Sequence, residues 1–325
     1  MSSTYKIEIA DNQKKYTGLR ALWCEVFHDE PDFVDGMYET FGAYPAAGTY
    51  VSEEIRGYVV LDAAGEVISA LTCFLSGNYE GRPVYTSYAI CTKPDMRGLG
   101  LAGRLVEHVR DIVLGAGGIS LISPAEPSLM DFYGAHGYEP HFYAIQSHAL
   151  LDDEELFEFD EEDDEYEKFE PKFDMKTLDA ASYNKYREAF LSVRPHVELS
   201  ESFLKLIYEE GLQPDGSGGL FSINGGDAIC ALAEHPSGMP MIAELILNPV
   251  LAELSLEIDN EIARNIALRL GTDAVLYRTP GPGACQSMAA GVNAETIFDE
   301  DDDTEEIETT YNYVNYEAYY GFPID

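Results

Sequence analysis

Basic residues are the scarcest chemical class in this chain: 20 Lys and Arg stand against 59 Asp and Glu, a net charge of −39. Such a surface repels polyanions, which excludes nucleic acid and anionic membranes as partners and leaves cationic amines or peptides as the attracted ones. Long apolar runs are missing as well, and no stretch approaches the roughly 20 residues of a membrane-spanning helix. The opening "MSSTYKIEIADNQ" has neither a basic nor an apolar leader region, so no secretory signal is read there. Cysteine is sparse and scattered: Cys24, Cys73, Cys91, Cys230 and Cys285 form no C-x-x-C pair. An odd, dispersed set argues against a disulfide framework and a zinc site, leads us to expect no metal, and fits a reducing cytoplasm.

Much of the acidity sits in two runs. Asp152 to Glu170 holds 13 acids in 19 residues and Asp299 to Glu308 holds 8 in 10. Runs of this kind read as a solvated linker and a solvated loop, and neither has the glycine-punctuated spacing of a calcium loop. The first run cuts the 325 residues into two parts with the same order of elements. Residues 1–150 read as a strand, two helices, an antiparallel meander, a helix from the "RGLGLAGRL" turn to about Leu114, a strand "ISLIS" and a short helix. Residues 172–325, after a linker at 151–171, repeat strand, two helices, meander, long helix and strand. Pro94 answers Pro249 at an offset of 155, and Gly137 answers Gly291 at 154. We read an α/β (α+β) fold: two tandem domains, each a mixed, mostly antiparallel sheet flanked by helices.

The stretch "RGLGLAGRL" satisfies G-x-G-x-x-G at Gly98, Gly100 and Gly103, and also R-x-x-G-x-A at Arg97, Gly100 and Ala102. Both describe a glycine turn opening a helix, where backbone N–H groups can hold a pyrophosphate. The dinucleotide reading fails on context. Some eighty residues of mixed structure come first, and no acid stands about twenty residues beyond Gly98. Between Val84 and Arg110 four basic residues outweigh Asp95 and Glu107, a local charge of +2 inside an acidic chain. The second half sets Ala252, Glu253, Ser255 and Glu257 at the matching places, so it has no anion turn. The same counting puts Ser287 where the first half has Tyr133.

"AICTKPDMRGLGLAGRL" resembles the acyl-CoA motif of the GCN5-related N-acetyltransferases, and "LISPAEPSLMDFYGAHGYEP" is similar to the motif that follows it in that family. The resemblance covers residues 5 to 150, with the second half as a degenerate GNAT-like copy. It implies acetyl-CoA as cosubstrate, with backbone groups of Ile90, Cys91 and Thr92 against the pantetheine arm. Backbone amides of Arg97, Gly98, Leu99, Gly100, Leu101 and Ala102 would lie on the pyrophosphate. It implies Tyr133 as the acid that protonates the leaving thiolate. Tandem relatives suggest the carboxylate of Asp325 as the base. Glu126 replaces an asparagine common in the family.

The base has other candidates in Asp29, Glu30, Asp32 and Asp35. His108 reads as a surface residue and Cys91 as a small buried hydrophobe rather than a nucleophile. The function expected is a cytoplasmic N-acetyltransferase moving an acetyl group to a primary amine by direct attack. A non-catalytic acyl-CoA sensor is the alternative, and a tandem peptidyl transferase is disfavoured for want of a basic surface. The second half would wall the acceptor site or form a homo-oligomer contact.

Overall fold

Helices begin where the sequence supplies caps. In the computed structural model, which describes residues 5–151, 173–235, 237–252, 257–292 and 318–321, helix α1 (Gln13–Phe27) starts at Asn12. The Asn12 side chain accepts the Lys15 amide at 3.2 Å, and the helix stops at His28 in the left-handed region. Helix α2 (Pro31–Thr40) starts on Pro31, which suits a first turn that has no use for its N–H. Helix α3 (Leu101–Gly115) buries Leu101, Leu105, Val106, Val109 and Val113 against the sheet, while Ile112 at the edge of that stripe is 39 % exposed.

The strands β1 (Lys6–Ile9), β2 (Ile55–Leu61), β3 (Val67–Tyr79), β4 (Arg82–Thr92) and β5 (Ile119–Ile122) lie side by side in chain order. All neighbours are antiparallel except β4 and β5. Helix α4 (Leu129–Ala135) and strand β6 (Glu139–Leu150) follow. Beyond the first acidic run come β7 (Met175–Thr177), α5 (Ala180–Leu191), β8 (Glu198–Leu199), α6 (Glu201–Glu210), β9 (Leu220–Ile223), β10 (Ala228–Glu234), β11 (Pro240–Leu247), α7 (Pro249–Ala252), α8 (Ile258–Leu270) and β12 (Ala274–Ala290). Both acidic runs and Asp325 lie outside the described residues.

The last strands cross over, and this the sequence did not announce. β6 pairs antiparallel along β12 from Leu150↔Ala274 to Glu139↔Ala289, and the end of β12 pairs with β5 through Met288↔Ile122 and Ala290↔Ser120. The start of β12 pairs parallel with β11 at Met241↔Leu276. Each part of the chain therefore lends its final strand to the sheet of the other, and all twelve strands belong to one sheet.

Between β5 and β6 the chain makes an excursion through α4. In β12 only residues 280–283 separate the two pairings, Thr279↔Ile145 and Ala284↔Ala144. The expected match of Ser287 to Tyr133 is thereby corrected. Ser287 is a buried strand residue opposite Phe142, and no helix stands at its place.

Helices α1, α2, α5 and α6 cover one face over a single core cluster that includes Trp23, Tyr38, Phe74, Tyr183, Phe203 and Leu204. On the other face α3 packs over Leu71, Ile122, Tyr133 and Tyr138, and α8 packs over Cys230, Ile242 and Val275. Phe74 and Phe203, one from each half, lie 5.6 Å apart by ring centroids. Burying a side chain of that size is worth about 1.5–3 kcal/mol. Separating the halves would return that surface to water on both sides.

Candidate functional site

The site starts from a fault in one strand. β3 and β4 keep register from Leu75↔Tyr85 to Thr72↔Tyr88, but the next pair is Ala70↔Cys91, so Ala89 and Ile90 face Leu71 alone. Ala89 takes up the extra residue at φ 50°, and the result is a β-bulge. β4 and β5 are hydrogen-bonded only over Val84–Thr86 and Ile119–Leu121. Beyond Thr86 their pairing stops, and a fork opens between residues 87–92 and the end of β5.

Lys93 N–H donates to Ile68 O at 3.0 Å, and Cys91 O accepts from Ser69 Oγ at 2.8 Å. Backbone groups alternate edges along an antiparallel strand, so those of Ile90 and Thr92 address the fork instead. The Thr92 carbonyl takes Arg97 Nε at 3.3 Å.

The turn "RGLGLAGRL" closes the open end of the fork. A 3₁₀ turn at Pro94–Met96 leads to Gly98 at φ 78° and Gly100 at φ 71°, and Gly100 caps α3. Left-handed backbone at both positions favours glycine. A Cβ built on either meets nothing within 4 Å, so the space above them is open. Arg104 N–H is bonded to Gly100 O, which leaves the amides of the first turn facing that space. Gly103 serves another purpose, since a Cβ there would stand 2.5 Å from the His136 ring. Two of the three glycines thus shape a cradle and the third permits packing. Lys93 and Arg97 form no salt bridge among the described residues, whereas Arg110 is bonded to Asp111 and the His136 carbonyl.

The remaining expected residues fall in different surroundings. Cys91 is buried, and burial pushes its thiol up to about 12. Tyr133, in α4, is 7 % exposed; burial alone pushes its phenol up to about 12, and among the described residues its hydroxyl has no hydrogen-bond partner. Ile90, Ile122 and Tyr133 belong to the same cluster, beneath α3 and α4. Leu99 is 53 % exposed at the tip of the turn, Leu101 is buried, and Ala102 is half-buried. His108 is half-buried, edge-on to Tyr58, rather than fully at the surface.

Two of the four acids proposed near α1 and α2 brace those helices. Asp29 accepts Trp23 Nε1 at 2.6 Å, and Asp35 accepts Tyr16 Oη at 2.6 Å and Arg20 Nη1 at 2.5 Å. Asp325 lies outside the described residues. No group of three or more His, Cys, Asp or Glu among the described residues is placed to hold a metal ion, and no helix among them is long and apolar enough to cross a membrane.

Sequence reasoning missed two features. The first is the tail Ala318–Gly321, whose Tyr320 hydroxyl lies 3.2 Å from Thr86 Oγ1 at the closed end of the fork. The second is a fully buried ion pair, Arg187 Nε to Glu244 at 3.1 Å, joined by Tyr183 Oη at 2.7 Å. Nothing in the local sequence marks either. The aromatic pair Tyr319–Tyr320 reads as an ordinary final strand.

Residues 16–138 match the model of the acetyltransferase (GNAT) family. A GCN5-related N-acetyltransferase from Anabaena variabilis is similar in structure at a TM-score of 0.57 and 13% identity, covering 87% of this chain and 72% of its own. One from Kribbella flavida has a TM-score of 0.53 at 15% identity, covering 89% and 72%. A conserved protein of unknown function from Enterococcus faecalis gives 0.56 at 13% identity, covering 88% and 72%. No curated protein matches the chain.

Proposed function

We propose that this protein, whose residues 16–138 match the model of the acetyltransferase (GNAT) family, transfers an acetyl group from acetyl-CoA to a primary amine by direct attack. One observation carries the reading: a bulged β4 whose freed edge runs straight into an open, left-handed Gly98–Gly100 turn at a helix N-terminus. The residues present fit coenzyme A, because the turn offers unpaired amides and no Cβ intrudes on the space above it.

In this reading the amides of 98–102 hold the pyrophosphate, with the Arg97 side chain beside them while its own N–H is bonded to Pro94 O. Backbone groups of Ile90 and Thr92 line the pantetheine arm, those of Cys91 facing β3 instead. Acetyl-CoA supplies the activated acyl group. The amide near Ile90 polarises the carbonyl under attack. Tyr133 keeps its proton at every physiological pH, its phenol being pushed up to about 12, and delivers it to the departing sulfur. Cys91, held as a thiol, takes no part.

Asp325 is assigned as the base that accepts the ammonium proton. The acceptor is a cationic amine drawn by the net charge of −39, and the location is cytoplasmic. Residues 1–150 carry the catalysis, and residues 172–325 wall the acceptor side.

Calorimetric titration of acetyl-CoA and of NAD into the wild type tests the reading first. Micromolar binding of acetyl-CoA alone supports it, and failure of the folded protein to bind overturns it. Release of free thiol with a panel of amines then tests catalysis. Tyr133→Phe is expected to lower kcat by about 10²-fold or more with unchanged acetyl-CoA affinity. Binding without turnover of any amine would make the protein an acyl-CoA sensor.

A further inference from the structure

The place of Tyr133 is set by how α4 is seated, because its carbonyl rather than its hydroxyl carries the bonds. That carbonyl accepts the His136 amide at 2.9 Å and the Tyr138 amide at 3.2 Å, which closes the helix. The residue that closes α4 also docks it on α3. The half-buried His136 ring fills the notch left by Gly103, where a Cβ would stand 2.5 Å from both Cε1 and Nε2. Its Nδ1 lies 3.0 Å from Glu107 Oε1, and Arg110 Nη1 donates to its carbonyl.

Gly103, Glu107 and Arg110 follow one another at helical spacing, so the three contacts share one face of α3. The next residue of the seat, Gly137 at φ 83°, is glycine for a like reason, since a Cβ there would meet the Arg110 guanidinium at 2.5 Å. Phe132 stands edge-on to the His136 ring at 4.7 Å and to the Tyr133 ring at 5.1 Å. Imidazole, Phe132 and phenol thus form one packed row. Helix α3 carries the anion turn at its start and the seat of α4 along its side.

Resting on the acetyltransferase reading, we propose that His136 is the positioning residue of Tyr133. It fixes the phenol relative to the anion turn, and Gly103 is glycine in order to admit its ring. His136 acts through Tyr133 alone. A shift of the phenol by about 1 Å is worth up to about 10²-fold in rate, so the seat governs catalysis without touching either substrate.

The test has two readouts. Amide hydrogen exchange across residues 129–135 reports how firmly α4 is seated. Thiol release with butylamine, spermidine or a lysine-containing peptide reports kcat. His136→Ala is expected to speed exchange in 129–135 by about tenfold, with α1 and β3 unchanged. It lowers kcat by about tenfold to 10²-fold while KM for acetyl-CoA stays within about threefold. Gly103→Ala speeds the same exchange by expelling the ring, yet adds nothing to His136→Ala, because the new Cβ then enters the space the ring has left. In a Tyr133→Phe background His136→Ala costs no further kcat.

Unchanged exchange or kcat in folded His136→Ala overturns the proposal alone. So does equal harm from Gly103→Ala with and without the ring, or a full His136→Ala loss on top of Tyr133→Phe. Should His136→Ala fail to fold, His136→Leu, which makes no bond to Glu107, takes its place in the Tyr133→Phe cycle. Wild-type kcat in Tyr133→Phe removes the acid assignment and this inference while leaving acetyl transfer standing. Failure of the folded wild type to bind acetyl-CoA, or to acetylate any of these acceptors, sinks the acetyltransferase reading and this inference with it.

Discussion

Three substitutions at Gly100 separate backbone strain, bulk and charge at the anion turn. Gly100 sits at φ 71°, where an L-residue pays about 1–2 kcal/mol, and its added Cβ meets nothing within 4 Å. Gly100→Ala, Gly100→Gln and Gly100→Glu should therefore all fold and melt slightly lower, by about 1–3 °C. For acetyl-CoA the three should diverge. Alanine keeps the amides but sets a Cβ in the space that the reading reserves for the pyrophosphate, so Ala and Gln should both weaken Kd and Glu should weaken it more than either.

Glutamate brings a negative charge to roughly 5 Å from a pyrophosphate. Coulomb's law gives about 1–3 kcal/mol per charge pair between the dielectric limits of water and a protein surface, the spread reflecting the exposure of the turn. That is roughly a 5- to 150-fold weaker Kd for Glu than for Gln. The gap should shrink between 0.1 and 1 M salt, as the screening length falls from about 10 to 3 Å. Calorimetric titration of the four proteins reads this directly. Equal affinity of the Glu and Gln variants, or a loss in Ala as large as in Glu, would refute the electrostatic account.

Three further outcomes follow from burial. Cys24 and Cys285 are half-buried while Cys73, Cys91 and Cys230 are buried, and burial holds the Cys73 and Cys91 thiols up to about 12. A thiol reagent near pH 8 should thus label Cys24 and Cys285 in the native state and the other three only after denaturation. Cys91→Ser should retain acetyl transfer, and its loss with the fold intact would contradict direct attack. At the buried pair, Arg187→Leu should destabilise by about 3–5 kcal/mol because it strands the Glu244 carboxylate, and Glu244→Leu by less because Glu188 still stands 3.5 Å from Arg187. The double variant should recover part of that in denaturant titrations, and equal losses in single and double variants would refute the coupling.

The local parts of the site were legible early because their causes are local. Asn12, Pro31 and Gly100 mark helix starts through side-chain capping, ring geometry and positive φ, and each lies where the chain predicts. The meander, the strand ending at Thr92 and the turn behind it follow from alternation and glycine placement. Gly103 shows the limit of such reading. Its spacing completes a dinucleotide pattern, yet its reason is the His136 ring, a neighbour 33 positions away.

Ser287 failed for a related cause. Offset counting assumes equal connections, and a four-residue break, 280–283, replaces the whole α4 excursion. Asp29 and Asp35 looked like free acids until Trp23, Tyr16 and Arg20 were found holding them.

By itself the sequence determined the element order, the anion turn and the acidic surface, because capping, periodicity and charge act over a few residues. Only tertiary structure decided that β12 would come between β5 and β6, that Arg187 would find Glu244, and that Tyr320 would come to rest on Thr86. Those pairings join residues from about 60 to more than 230 positions apart. Hydrogen-bond satisfaction and close packing choose such partners from the whole folded surface, and no short window of sequence contains that choice.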